Sequence, residues 1–236
     1  MPASPLAILG LGFVLGLRHA LDVDHLAAVS TIVSERRNAW ASALVGAVWG
    51  LGHTASLLAV GVLVIAFHQE IPASLARGLE FGVALMLIGL GARLLWTLAR
   101  GGRVHIHGHV HGGRLHAHPH LHAAHPELGD HRHGPVGRRP FVVGMVHGLA
   151  GSAALMLVVL ATIPQPAVAV AYVVVFGVGS VGGMTAMSTL IGLPFHLVSD
   201  RFERADRALR ACAAVTSVVV GVMLAWEIGV ASGMLL

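Results

Sequence analysis

The stretch Arg18-His19-Ala20-Leu21-Asp22-Val23-Asp24-His25 lies between two apolar runs, GLGFVLGL before it and LAAVSTIV after it. The whole segment is long enough to cross a bilayer, since a helix through a ~30 Å hydrocarbon core needs about 20 residues. Two histidines, two aspartates and an arginine sit in its middle. A charged side chain at the centre of a membrane helix costs roughly 2.5–3.5 kcal/mol on insertion scales. Groups kept at that cost are expected to act on an ion or a ligand. Imidazole with carboxylate is a donor set for divalent first-row metals. An ion pair between Arg18 and Asp22, four residues apart, would explain two of the charges and leave Asp24 and both imidazoles unexplained.

The rest of the chain agrees with a membrane setting. Of 236 residues, 56% are hydrophobic and 11% charged, and mean hydropathy is +0.79. Soluble domains carry about 25% charged residues. The apolar runs are continuous, without the period-two alternation of a barrel strand, so the expected fold is all-α and polytopic. Six spans are expected, near 6–32, 40–67, 75–98, 141–163, 167–193 and 208–233. They suggest a first three-helix unit (1–98), a disordered loop (99–140) and a second three-helix unit (141–236). All basic residues are arginine, and they sit mainly in short loops, which reads as membrane topology rather than a nucleic-acid face. The first, third and fifth loops hold Arg36, Arg37, Arg100, Arg103, Arg114, Arg132, Arg138, Arg139, Arg201, Arg204, Arg207 and Arg210, against Arg77 alone on the other side. The positive-inside rule then puts those loops in the cytoplasm and both termini outside, in a cytoplasmic (inner) membrane. The lone Cys212 rules out an internal disulfide and a CxxC redox pair. No cleavable signal peptide is expected, because MPASP lacks a basic n-region.

A faint repeat runs through the chain. GLRHAL from Gly16 matches GMVHGL from Gly144; Trp49-Gly50-Leu51-Gly52 matches Phe176-Gly177-Val178-Gly179; and Gly91 before Trp96 matches Gly221 before Trp226. The offsets are 128, 127 and 130 residues. Three spans per unit is an odd number, so the halves are expected to be inverted, with a site near the midplane between them.

On a regular helix His19, Asp22 and His25 fall at about 0°, 300° and 240°, while Asp24 falls near 140°. The rise from His19 to His25 is about 9 Å. A straight helix cannot wrap all four around one ion, so the first span is expected to be distorted. His53, in WGLGHT, and His147, which stands at the repeat position of His19, are further candidate ligands. Each has an alternative reading as a packed, hydrogen-bonded histidine. Glu80 and Glu227 are candidates for a proton or ion path, and Ser180, Met184 and Met187 for its lining; packing explains the methionines equally well.

A second signal lies in the third loop. It holds His105, His107, His109, His111, His116, His118, His120, His122, His125, His131 and His133, interspersed with Gly and Pro. Neutral imidazole at this density chelates Ni, Co, Zn or Cu. A flexible chelator suits buffering or sensing rather than selection.

RHALDVDHLAAVST resembles the H-x4-D-H signature of the nickel/cobalt transporter superfamily, NiCoT and its NicO relatives. WGLGHT resembles that family's next signature helix. HGLAGSAAL is similar to the short six-span branch labelled urease- or hydrogenase-accessory membrane proteins. The resemblance implies transport of divalent nickel or cobalt without ATP hydrolysis. It implies His19, Asp24 and His25 as metal-recognition residues, with Asp22 in the extended motif and His53 in the following helix. The later acidic signature of the eight-span members is absent, and HGLAGS stands there instead. The expected protein is therefore a non-enzymatic permease whose metal is cargo, with no tightly bound cofactor. Zn²⁺ is a further ligand for the loop. Its partners are the ion, the lipid bilayer and nickel-enzyme maturation proteins, with no nucleic acid. A non-transporting metal receptor is the alternative. A membrane metalloprotease would need HExxH, which is absent, and a thiol–disulfide carrier would need two membrane cysteines.

Overall fold

The computed structural model describes residues 4–36, 38–67, 72–100, 104–111, 114–121, 138–150, 162–199 and 202–231. The first helix, α1 (Pro5–His19), begins where a sequence signal asks for it. Pro5 fills the first turn, and the Ala7 amide donates to the Ser4 hydroxyl at 3.3 Å. It stops after His19. The Leu21 amide turns back to the Arg18 carbonyl and the Asp22 amide to the His19 carbonyl, at 2.9 and 3.1 Å. Asp22 is then extended, and its own carbonyl receives the Leu26 amide at 3.0 Å, which starts α2 (Val23–Val33). The two helices meet at 54°. The distortion expected of the first span is a clean break over three residues.

Five further helices follow among the described residues: α3 (Ala39–Phe67), α4 (Ala73–Ala99), α5 (Arg138–Gly148), α6 (Pro166–Ser199) and α7 (Glu203–Trp226), the last closing in a π turn, Glu227–Ala231. Four helices among the described residues are long and apolar enough to cross a membrane, and the broken α1–α2 pair makes five. These are the long apolar helices of a multi-pass membrane protein. Of the expected span 141–163, residues 151–161 lie outside the described residues.

One departure from helix occurs where a structureless loop was expected. Val104–His111 and Arg114–Leu121 pair as an antiparallel two-stranded ribbon. The strict His-x-His-x alternation has the period of a strand rather than a helix, which is the physical reason for the ribbon. His105 stands opposite His120, His107 opposite His118 and His109 opposite His116. His111 stands opposite Arg114. His122, His125, His131 and His133 lie outside the described residues.

Helix packing sets up the centre. α1 lies on α6, α6 on α3 and α3 on α5, forming a row; α4 and α7 pair beside it, and α2 leads from the row to that pair. Glycines let these backbones touch, as the small residues of membrane interfaces do. A Cβ on Gly16 would strike the Phe176 carbonyl, and one on Gly144 would strike the Trp49 carbonyl. Gly179 lies likewise on Phe13 and Gly52 on Phe141. In the outer pair, Gly91 lies on Ala214 and Gly221 on Ala84. Each contact has a counterpart at the offsets seen in the sequence. Ala27, Ala28, Val45, Trp49, Val83 and Leu87 fill the space between α2, α3 and α4. Exposed Leu11, Val14, Leu63, Leu85 and Val219 face outward, as lipid-facing residues do.

The packing predicts opposite signs for two alanine substitutions. Gly144→Ala forces a methyl onto backbone and should destabilise by about 1–3 kcal/mol. Gly89→Ala meets nothing within 4 Å and should stabilise by about 0.8–1 kcal/mol through helix propensity. Unfolding of the detergent-solubilised variants measures both, and shifts of the same sign would contradict the seam.

Candidate metal centre

The break in the first span delivers four of its polar residues to one place. His19 ends α1, Asp22 bridges the gap, and Asp24 and His25 form the first turn of α2. His53 comes from the middle of α3 and His147 from the last turn of α5. His25, His53 and His147 are at most 1% exposed and His19 is 7% exposed. One ligand atom each from His19, His25 and His53 lies within 4.8 Å of the others, and the same holds for Asp24, His25 and His147. Two groups of three thus share His25.

The hydrogen bonds settle which nitrogens carry protons. The His19 Nδ1 lies 2.8 Å from Asp22 Oδ2. An ionised carboxylate only accepts, so Nδ1–H donates and, in the neutral ring, Nε2 keeps its lone pair. That Nε2 lies 3.0 Å from the Nε2 of His53. Asp24 Oδ1 accepts from the His25 amide at 2.9 Å and from His25 Nδ1 at 3.1 Å. Asp24 Oδ2 accepts from His147 Nε2 at 2.8 Å. His25 Nε2 is then left as a buried lone pair with no hydrogen-bond partner among the described residues. The Nδ1 atoms of His53 and His147, and the Nε1–H donor of Trp49, are likewise buried without a partner among the described residues. Buried polar atoms normally have partners. Here they belong to rings packed against one another, His25 with Trp49, His53 and His147.

Two aromatic rings wall this point. Trp49 stacks on His25 with ring centres 5.9 Å apart and 7° between planes. Phe176 lies 5.6 Å from His19. Neither was singled out as part of a site from the sequence, although both appear in the repeat at an offset of 127 residues. The helix ends add a field. The carbonyl end of α1 at His19 is the negative end of its dipole and favours a cation, while the first turn of α2 favours the Asp24 carboxylate. The Asp22 side chain is 48% exposed and Arg18 is exposed, while the Asp24 side chain is 27% exposed.

Other residues singled out from the sequence lie apart. Glu80 is half-buried on α4, and Glu227 is exposed where α7 enters its π turn. Neither joins a group with metal-ligand spacing among the described residues. Ser180 donates to the Gly16 carbonyl at 3.4 Å, and Met184 is buried; both serve the helix seams.

Comparison with known proteins places the chain. It is 38% identical over 229 residues to urease accessory protein UreH of Bacillus sp. (strain TB-90), covering 97% of this chain and 95% of that protein. It is also similar to two proteins of Arabidopsis thaliana, chloroplast proteins FOR GROWTH AND FERTILITY 2 and 1. These are 24% and 25% identical, over 90% and 89% of this chain. The chain spans about half the length of these plant proteins, 54% and 56%. No family model matches the chain, and no solved structure does. An alignment at this identity running nearly end to end in both proteins shows common descent, and the chain belongs to the family of urease accessory protein UreH.

Proposed function

We propose that the chain is a secondary permease for Ni²⁺ or Co²⁺ in the cytoplasmic membrane. One observation carries this reading: four buried imidazoles converge at the break of an apolar span in groups with metal-ligand spacing, and the His25 Nε2 has no hydrogen-bond partner among the described residues. Three of them, His19, His25 and His53, are the ligands. Their donor atoms are the Nε2 nitrogens. Nitrogens cis to one another on an ion, each at ~2.1 Å, are about 3.0 Å apart at a right angle. The His19–His53 separation of 3.0 Å fits that value, and without an ion it fits an N–H···N bond. Asp22 and Asp24 act behind the imidazoles. Each holds an Nδ1–H, fixing ring and tautomer and raising basicity, as carboxylates behind metal-binding histidines do. Together they also balance the charge of a dication. Urease is a nickel enzyme, so a relative named as a urease accessory protein supports nickel as cargo and nickel-enzyme maturation proteins as partners.

Further parts of the reading follow from pattern. The reciprocal glycine contacts at near-constant offset support two inverted three-helix halves with the site at their interface. The arginine distribution supports termini outside and the histidine-rich ribbon in the cytoplasm. There, paired histidines would serve as a store for Ni²⁺, Co²⁺ or Zn²⁺. A non-transporting receptor is the second reading, favoured by the accessory-protein relative.

Metal accumulation in cells expressing wild type, His25→Ala and a deletion of 105–133 tests the permease. Wild type should change cellular nickel, and the sign of the change gives the direction. His25→Ala should abolish the change; movement of nickel equal to wild type would overturn the site. The deletion should shift apparent affinity without abolishing transport. Purified wild type in vesicles enclosing a nickel-sensitive dye separates the two readings, since a receptor alone gives no lumenal signal. Asp24→Asn and Asp22→Asn should each weaken Ni²⁺ binding by about 10–100-fold, measured by calorimetry in detergent.

A further inference from the structure

Resting on the permease reading, we infer that the site offers the ion two successive positions, joined through His25. The first is the His19–His25–His53 group; the second is the Asp24–His25–His147 group. The second draws ligands from both halves of the chain and replaces one nitrogen by a carboxylate oxygen. It takes the same class of cargo, a divalent first-row cation.

The geometry of His25 makes the two positions alternatives. Its Nδ1 faces Asp24 at 3.1 Å, and its Nε2 is the buried, unpartnered atom. With the ion in the first position, Nε2 binds and Nδ1–H donates to Asp24. With the ion in the second, Nδ1 binds and the ring proton resides on Nε2. A neutral imidazole has one proton and one lone pair, so His25 serves one position at a time. His147 fits the same scheme. Its Nε2–H now donates to Asp24 at 2.8 Å, while its Nδ1 is buried and without a partner. Moving the ring proton to Nδ1 frees Nε2 to bind, with no net proton gained or lost by the chain. The ion passes from the group beside half-exposed Asp22 to the group that includes α5, and the shared ring hands it on. Trp49, stacked on His25 and 5.7 Å from the His147 ring, walls both positions.

The alternative is that His147 only positions Asp24. Co²⁺ titrations of purified protein, followed by visible absorption, and transport of Co²⁺ into vesicles distinguish the two. In a background lacking the chelating loop residues 105–133, used for every protein compared here, the otherwise wild-type chain should bind one Co²⁺; simultaneous binding of two would overturn the shared-ring scheme. His147→Ala and His147→Gln should both still bind one Co²⁺, yet transport about 10–100-fold more slowly, the range seen when a metal site loses a supporting group. Glutamine keeps an N–H for Asp24 but offers no imidazole lone pair. Wild-type transport by His147→Gln would therefore show a positioning role and sink the proposal. Loss of all Co²⁺ binding in both His147 variants would show one composite site and sink it too. His53→Ala should retain one Co²⁺ with an altered spectrum, from the group that keeps the carboxylate. A His53→Ala protein that binds none would mean that the second position does not exist. If wild type itself binds no Co²⁺ or Ni²⁺, the permease reading fails, and that result is distinct from all of these.

Discussion

The Asp24 carboxylate is the constraint on which the centre depends. It accepts two hydrogen bonds from His25 and one from His147, and so ties the start of α2 to the end of α5. A buried carboxylate is costly unless it is paired and hydrogen-bonded. Here the N-terminal turn of α2 and three donors meet that need together. In doing so the carboxylate fixes the His25 ring, which packs edge-on against the rings of His19 and His53. Asp22 does the same for His19 from the exposed side. It stands at the N-cap of α2 but makes no capping bond; its oxygen goes to the imidazole instead.

This network needs a rigid frame, because hydrogen bonds of 2.8–3.1 Å are lost when a ring moves by an ångström. The glycine seams supply it. Backbone lies on backbone where Gly16 meets Phe176 and where Gly144 meets Trp49. Those two aromatic residues also wall the site. The same positions therefore set the distance between helices and the shape of the pocket. A larger residue at Gly16 or Gly144 would move the site as well as the seam.

Much of this was legible in the sequence because membrane insertion leaves a strong record. RHALDVDH stood out by its cost in hydrocarbon, and helical angles alone showed that its four ligand-type residues could not share a straight helix. The break at Ala20–Asp22 resolves that conflict. His53 and His147 were named with less to go on, one from a glycine-flanked position and one from the repeat. The roles of the residues were less legible. Spacing names Asp24 as a ligand but carries no trace of the N–H donors from two helices that its oxygens accept. The strand period of the histidine loop was visible as alternation, but its composition suggested no order; cross-strand pairing became evident only from the register.

The sequence by itself determined that this chain is a helical membrane protein with a metal-type donor set in its first span. Hydropathy and the cost of buried charge are properties of residues, independent of their neighbours. The tertiary structure decided what each histidine nitrogen faces, that Trp49 and Phe176 lie against the site, and that His147 shares a carboxylate with His25. These depend on contacts between helices, from His25 with Trp49 to Asp24 with His147, 123 positions apart. Such contacts are set by how helices cross, and a linear pattern carries no record of the crossing.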